Sequence, residues 1–183
     1  MATTTNWKFD LSHSELGFKI RHLMISNVSG TFKNFDLSVQ TTGSDFTTAQ
    51  ISARVDMSSI FTNNEQRDAH LLNSDFFEVE KYPEMLFQSA SVKAIDDDNY
   101  ELNGDLTIRG ITKPVKLKIE FNGLAKDPWG NERAGFNVSG KINRSDWGVS
   151  FNSVLETGGV ALSDEVRIHA ELQLVKEVVA EGV

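Results

Sequence analysis

The sequence predicts an all-β fold: an eight-stranded antiparallel barrel with one short helix inserted near residues 64–73. Three observations lead there. Short runs alternate apolar and polar residues with the period of two that a half-buried strand requires, and they are crowded with phenylalanine, twelve in all. Clusters of Gly, Asn, Asp and Pro separate the runs. No strand-helix repeat of the kind that builds a parallel sheet occurs. The 183 residues fit one domain, 1–183, with a core over about residues 6–175 and a short C-terminal tail.

Leu16, Phe18 and Ile20 alternate with Gly17, Lys19 and Arg21, and His22 falls on the same buried phase. Phe32, Phe35, Leu37 and Val39 mark a second strand whose odd step from 32 to 35 predicts a bulge. Ile51, Ala53, Val55 and Met57 form a third. Asn63 or Asn64 then caps a helix with Glu65 and Asp68 in its early turn and Ala69, Leu72 and Phe76 at helical spacing. Tyr82-Pro83 ends it and starts an extended segment through Phe87 and Val92, whose odd separation leaves the inward phase open. Asp96 to Asn99 is a hairpin turn.

Leu102, Leu106 and Ile108 lead to Gly110, and Val115, Leu117, Ile119 and Phe121 alternate strictly against polar residues. After the turn at Asp127–Asn131, the residues Ala134, Phe136, Val138, Gly140 and Ile142 hold one phase, which Arg144 and Asp146 continue. Val166 to Leu174 form the last strand, and residues 176–183 are read as the tail. Eight strands is the size that leaves room for one small ligand.

Composition removes several function classes. Asp plus Glu number 26 against 18 Lys plus Arg, a net charge of −8, the wrong sign for gaining affinity by releasing phosphate counterions, so nucleic acid is not an expected partner. With no cysteine there is no disulfide, thiolate zinc site or thiol nucleophile. Residues 1–20 lack the continuous apolar core of a secretory signal, and no stretch is long and apolar enough to span a membrane; the expected location is cytoplasmic, or periplasmic if a signal has been removed.

Metal chemistry finds no ligand set: His13 and His22 lie nine residues apart on what reads as one strand, roughly 30 Å and on opposite faces, His70 has no histidine four residues away, and His169 alternates outward. No G-x-S-x-G elbow is present, and Gly158-Gly159 lacks the spacing of a phosphate loop. Sequons at Asn27, Asn137 and Asn143 have meaning only in a glycosylating pathway. What remains is a few charged or imidazole groups at positions where apolar ones are expected. Arg67 and His70 lie three apart on the helix, and His22 and Arg144 take inward phases. One reading pairs Arg144 with Asp146 and has Arg67 and His70 bond backbone carbonyls, pinning the helix across a barrel end. The other has some of them meet the polar head of an amphiphile whose tail threads the barrel. Phenylalanine without polar handles suits a hydrocarbon, since burying each CH₂ is worth about 0.8 kcal/mol before ordering costs.

Several motifs in order, DLSHSELGFKIRHL at 10–23, RDAHLLNSDFF at 67–77, Tyr82-Pro83 with Phe87 and Ser89, GDLTIRGITKPV at 104–115, DPWGNERAGF at 127–136, NRSDWG at 143–148 and SDEVRI at 163–168, resemble the YceI-like proteins, also described as polyisoprenoid-binding and lipocalin-like. The resemblance implies an eight-stranded lipocalin-like barrel, elongated beyond a lipocalin, that binds an isoprenoid such as a polyprenyl quinone or polyprenyl phosphate and forms homodimers. Positions matching the family include His13, Ser14, His22, Arg67, Asp68, His70, Phe76, Phe77, Arg109, Arg144 and Asp146. Arg109 points outward by strand phase and is read as structural or dimer-facing. Trp147 stands where the family usually has Phe, adding bulk that shortens the tail accepted.

The expected function is therefore non-enzymatic carriage or sequestration of a long isoprenoid, with transient membrane contact and no required cofactor. Phe18, Ile20, Phe32, Phe76, Phe77, Phe87, Phe136, Val138 and Ile142 are expected to line the lumen, Trp147 to narrow it, and His22, Arg67, His70 and Arg144 to form its polar end. Two alternatives are an enzyme acting on an amphiphile with His22 or His70 as general base, and a stress-linked interaction module whose lumen is packed shut.

Overall fold

In the computed structural model, which describes residues 3–23, 25–152 and 161–179, eleven strand segments form one closed antiparallel sheet. They are β1 (Thr4–Phe9), β2 (Glu15–His22), β3 (Ser26–Phe32), β4 (Phe35–Thr42), β5 (Asp45–Asp56), β6 (Ile60–Phe61), β7 (Glu84–Ala94), β8 (Asn99–Ile108), β9 (Ile111–Lys126), β10 (Glu132–Asn143) and β11 (Leu162–Val179). The eleven make eight staves. β1 and β2 lie end to end against β11, β3 and β4 end to end against β2 and β1, and β6 continues β5 against β3. Pairing of Thr4–Phe9 with Leu174–Val179 closes the barrel, so the chain end read as a tail supplies the closing rungs.

The breaks in the staves are built by short polar side chains. Between β1 and β2 the Asp10 carboxylate accepts from Ser12 N (3.1 Å) and Ser12 Oγ (2.6 Å), contacts His13 Nδ1 (2.9 Å), and pairs with Arg133 Nη1 (2.8 Å). Ser14 Oγ donates to Asp10 O and receives Gln173 N, which stitches the break to β11. The DLSH motif is thus a kink device. At Lys33-Asn34 the strand is interrupted rather than bulged: pairing passes from β2 to β1, and Phe32 and Phe35 both turn inward. Ser89 to Ser91 in β7 carries a true bulge, which is why Phe87 and Val92 face in despite their odd separation.

α1 (Glu65–Leu72) starts where expected: Asn64 accepts from the Arg67 amide, and Asp68 accepts from Thr62 N and Oγ1. It sits at the upper end, the end that also holds the β2–β3 and β8–β9 turns. The lower end is plugged. Phe46 packs on Trp7 (5.1 Å between ring centroids), Phe136 (5.0 Å) and Phe121 (5.5 Å), and Trp7 Nε1 donates to Thr41 Oγ1.

Candidate functional site: a two-chambered lumen

Above the aromatic plug the lumen is not filled. It holds a lower chamber of about 170 Å³ and an upper one of about 470 Å³, the latter within the usual range of small-molecule sites of about 300–1,000 Å³. Leu16, Met85 and Ile168 border both and form the neck between them. The reading of a barrel packed shut fails on this point.

The lower chamber is lined by apolar side chains and the Tyr100 ring, among them the expected Phe87, Phe136 and Val138. Glycine makes room for one of them: a Cβ on Gly104 would sit 2.4 Å from Phe87 Cζ, so the Phe87 ring lies across the backbone of β8. Phe136 also belongs to the plug, which makes it as much a structural as a lining residue.

The upper chamber gathers the other eleven expected residues, Phe18, Ile20, His22, Phe32, Arg67, His70, Phe76, Phe77, Ile142, Arg144 and Trp147. Phe18 lies across Gly30, where a Cβ would be 2.4 Å from its ring. Trp147, only 2 % exposed, donates Nε1–H to Leu106 O at 2.9 Å, which fixes its indole as wall.

The polar groups do distinct work. Arg144 begins a single 3-10 turn (Arg144–Trp147) and is 7 % exposed. It donates to Ser163 O (3.0 Å), Val149 O (2.9 Å) and Phe151 O (2.8 Å), holding the segment after β10 against the start of β11. Asp146 is exposed and makes no ion pair among the described residues, so the pairing with Arg144 read from strand phase is replaced by carbonyl ligation. Burial pushes the Arg144 guanidinium below its ordinary value while the Asp164 carboxylate opposes that, and it stays charged at physiological pH. Its Nη2 has no hydrogen-bond partner among the described residues, leaving charged donors beside the chamber.

Arg67 is an exposed rim residue turned back on Thr62, with Nε to Oγ1 at 2.8 Å and Nη2 to the carbonyl. His70 stands between Phe76 and Phe151, each ring 5.0 Å away and edge-on, with Nε2 2.9 Å from Asp75 Oδ2. Sequence pattern missed Thr62, Met85, Phe151 and Leu162 as lining; Met85 shares the inward phase of Phe87 two residues away, and Phe151 follows no strand period.

Arg109 has left-handed backbone (φ 52°) in the β8–β9 turn and donates to the carbonyls of Ser74, Phe76 and Gly148, tying the loop after α1 to the loop after β10. That is the structural role read from its outward phase. His13 and His22 stay apart, His13 on Asp10 and His22 at the mouth, and among the described residues no three His, Asp or Glu side chains converge as metal ligands.

Fold and site together define an antiparallel β-meander closed around a ligand-sized lumen that is apolar at its base and polar at its mouth. A model of the YceI-like domain matches residues 7–174, and the chain belongs to the YceI-like family. The UPF0312 protein SA2479 of Staphylococcus aureus is 42 % identical over 170 residues, 92 % of this chain and 96 % of that protein. Among solved structures, a Campylobacter jejuni YceI protein superposes with a TM-score of 0.71 at 31 % identity, covering 89 % of this chain and 90 % of its own. A polyisoprenoid binding domain from Saccharophagus degradans superposes at 0.69 with 14 % identity over 93 % and 98 % of the two chains, a likeness of fold.

Proposed function

We propose that this protein binds a long-chain isoprenoid, a polyprenyl quinone or polyprenyl phosphate, and carries or sequesters it without chemical turnover. The observation that supports the reading best is the polarity gradient of the lumen. Its charged and imidazole groups all border the upper chamber, and below the neck only apolar groups and Tyr100 line the space. An amphiphile entering tail first places its head beside His22, His70 and Nη2 of Arg144. A phosphate or quinone oxygen there gains a charge-assisted hydrogen bond in a poorly hydrated site. A cytoplasmic homodimer belongs to the same reading.

Trp147 supplies the assay. A quinone seated in the upper chamber quenches the Trp147 indole, so titration of delipidated protein with a prenyl quinone should lower its fluorescence saturably, and Trp147→Phe should remove that component. Saturable quenching that persists in Trp147→Phe, or none in the parent protein, refutes the placement. The turnover reading has one observation behind it, the His70–Asp75 contact at 2.9 Å, the arrangement of an oriented base. Release of product from a prenyl ester, lost in His70→Ala, would establish it.

A further inference from the structure

The outer wall of the barrel sorts its charges by height. On one rung of the upper half Lys19, Arg167 and Lys141 stand directly opposite one another on β2, β11 and β10, two residues below the pair Asn143 and Glu165. Like charges so placed repel, and they share one carboxylate: Glu165 lies 4.0 Å from Lys141 and 3.8 Å from Arg167, while Lys19 has no ion pair among the described residues. Lys116 and Lys118 line the same outer groove, and Arg21 continues the row on β2 toward the mouth. Four residues down these strands, roughly 13 Å lower, the rung is acidic: Glu15 faces Glu171, Asn137 faces Glu171 on the other side, and Glu120 faces Asn137. In a chain of net charge −8 this wall carries its cations on the half toward the opening of the lumen, just below Glu165.

The same stave ends in an apolar tip. Beyond His22, which lines the upper chamber, Leu23 is 39 % and Ile25 84 % exposed, and Leu23 N donates to Ala161 O at 2.7 Å, fixing the turn to another lining residue. A large aliphatic side chain held open to water beside the mouth, above a basic rung, has the chemistry of an interfacial anchor.

We propose that the mouth docks onto an anionic lipid bilayer, with Leu23 and Ile25 entering the interface and Lys19, Arg21, Lys141 and Arg167 facing the head groups. The inference rests on the lumen being a lipid site, since docking brings that opening to the membrane. Co-sedimentation with vesicles of equal parts phosphatidylglycerol and phosphatidylcholine, against phosphatidylcholine alone, tests it. The chain should partition onto the anionic vesicles and come off in 0.5 M salt. Lys19→Gln with Arg167→Gln should lower partitioning about thirty-fold, at about 1 kcal/mol per cation, and Ile25→Asp about ten-fold. Equal partitioning onto both vesicles, none onto either, or no response to these variants overturns the proposal. So does a loss in the double variant with Ile25→Asp unchanged, which leaves the apolar tip out of the contact. Trp147 quenching by a short prenyl quinone, measured without vesicles, separates the two claims: docking lost with quenching intact refutes only the docking, and the converse refutes only the lumen ligand.

Discussion

Replacing Leu16 with Trp should seal the neck between the chambers and shorten the tail that the barrel accepts. Leu16 projects from β2 opposite Ala170, and with Met85 and Ile168 it borders both spaces. The lower chamber holds about 170 Å³ beside about 470 Å³ above, so closure removes roughly a quarter of the combined volume and leaves the head-group end untouched. Each isoprene unit adds five carbons. At about 0.3 kcal/mol per atom for a ligand of this size, a unit contributes about 1.5 kcal/mol, close to ten-fold in affinity. Calorimetric titration with prenyl quinones of two to six units should show affinity rising about ten-fold per unit and then levelling. In Leu16→Trp the plateau should arrive at least one unit earlier, with short tails bound as before. An unchanged length dependence, or a uniform loss at every length, would refute the two-chamber account. Overpacking the neck costs about 1–3 kcal/mol of stability, which urea unfolding would register separately.

Arg144→Met leaves the carbonyls of Val149, Phe151 and Ser163 without their donor and should cost about 1–3 kcal/mol, read as a lower urea midpoint at constant slope. Hydrogen bonds from Ser12, then Arg133 and His13, hold the Asp10 carboxyl well below the usual carboxylate range. A depressed native pKa stabilises above the unfolded value near 3.9, and that contribution fades as pH falls from there toward the native value. Asp10→Asn should therefore melt below the parent at pH 7, and the gap should close steadily below about pH 4; a gap independent of pH contradicts the network. Gly30→Val must displace the Phe18 ring from the strand it crosses, and should lower quinone affinity more than it lowers thermal stability.

The staves were legible because one face of each is buried and the side-chain period is two. Leu102, Leu106, Ile108 and Ile119 all face inward as their alternation requires, and the helix was marked by its cap. Breaks were harder to read, since a bulge and an interruption both shift phase by one; only the switch of partner strand at Lys33-Asn34 tells them apart. The gathering of His22, Arg67, His70 and Arg144 at one mouth followed from strand phase, helix spacing and the family resemblance. Their partners did not, because Arg144 leaves strand geometry for a 3-10 turn where alternation no longer says what it meets. The division of the lumen at Leu16, Met85 and Ile168 depends on three-dimensional distances that no one-dimensional pattern carries.

Native mass spectrometry of freshly purified protein, followed by organic extraction and identification of what is released, tests the central claim most directly. The account expects one isoprenoid per chain, displaced by added prenyl quinone. A ligand-free mass that no prenyl quinone or polyprenyl phosphate shifts would contradict it.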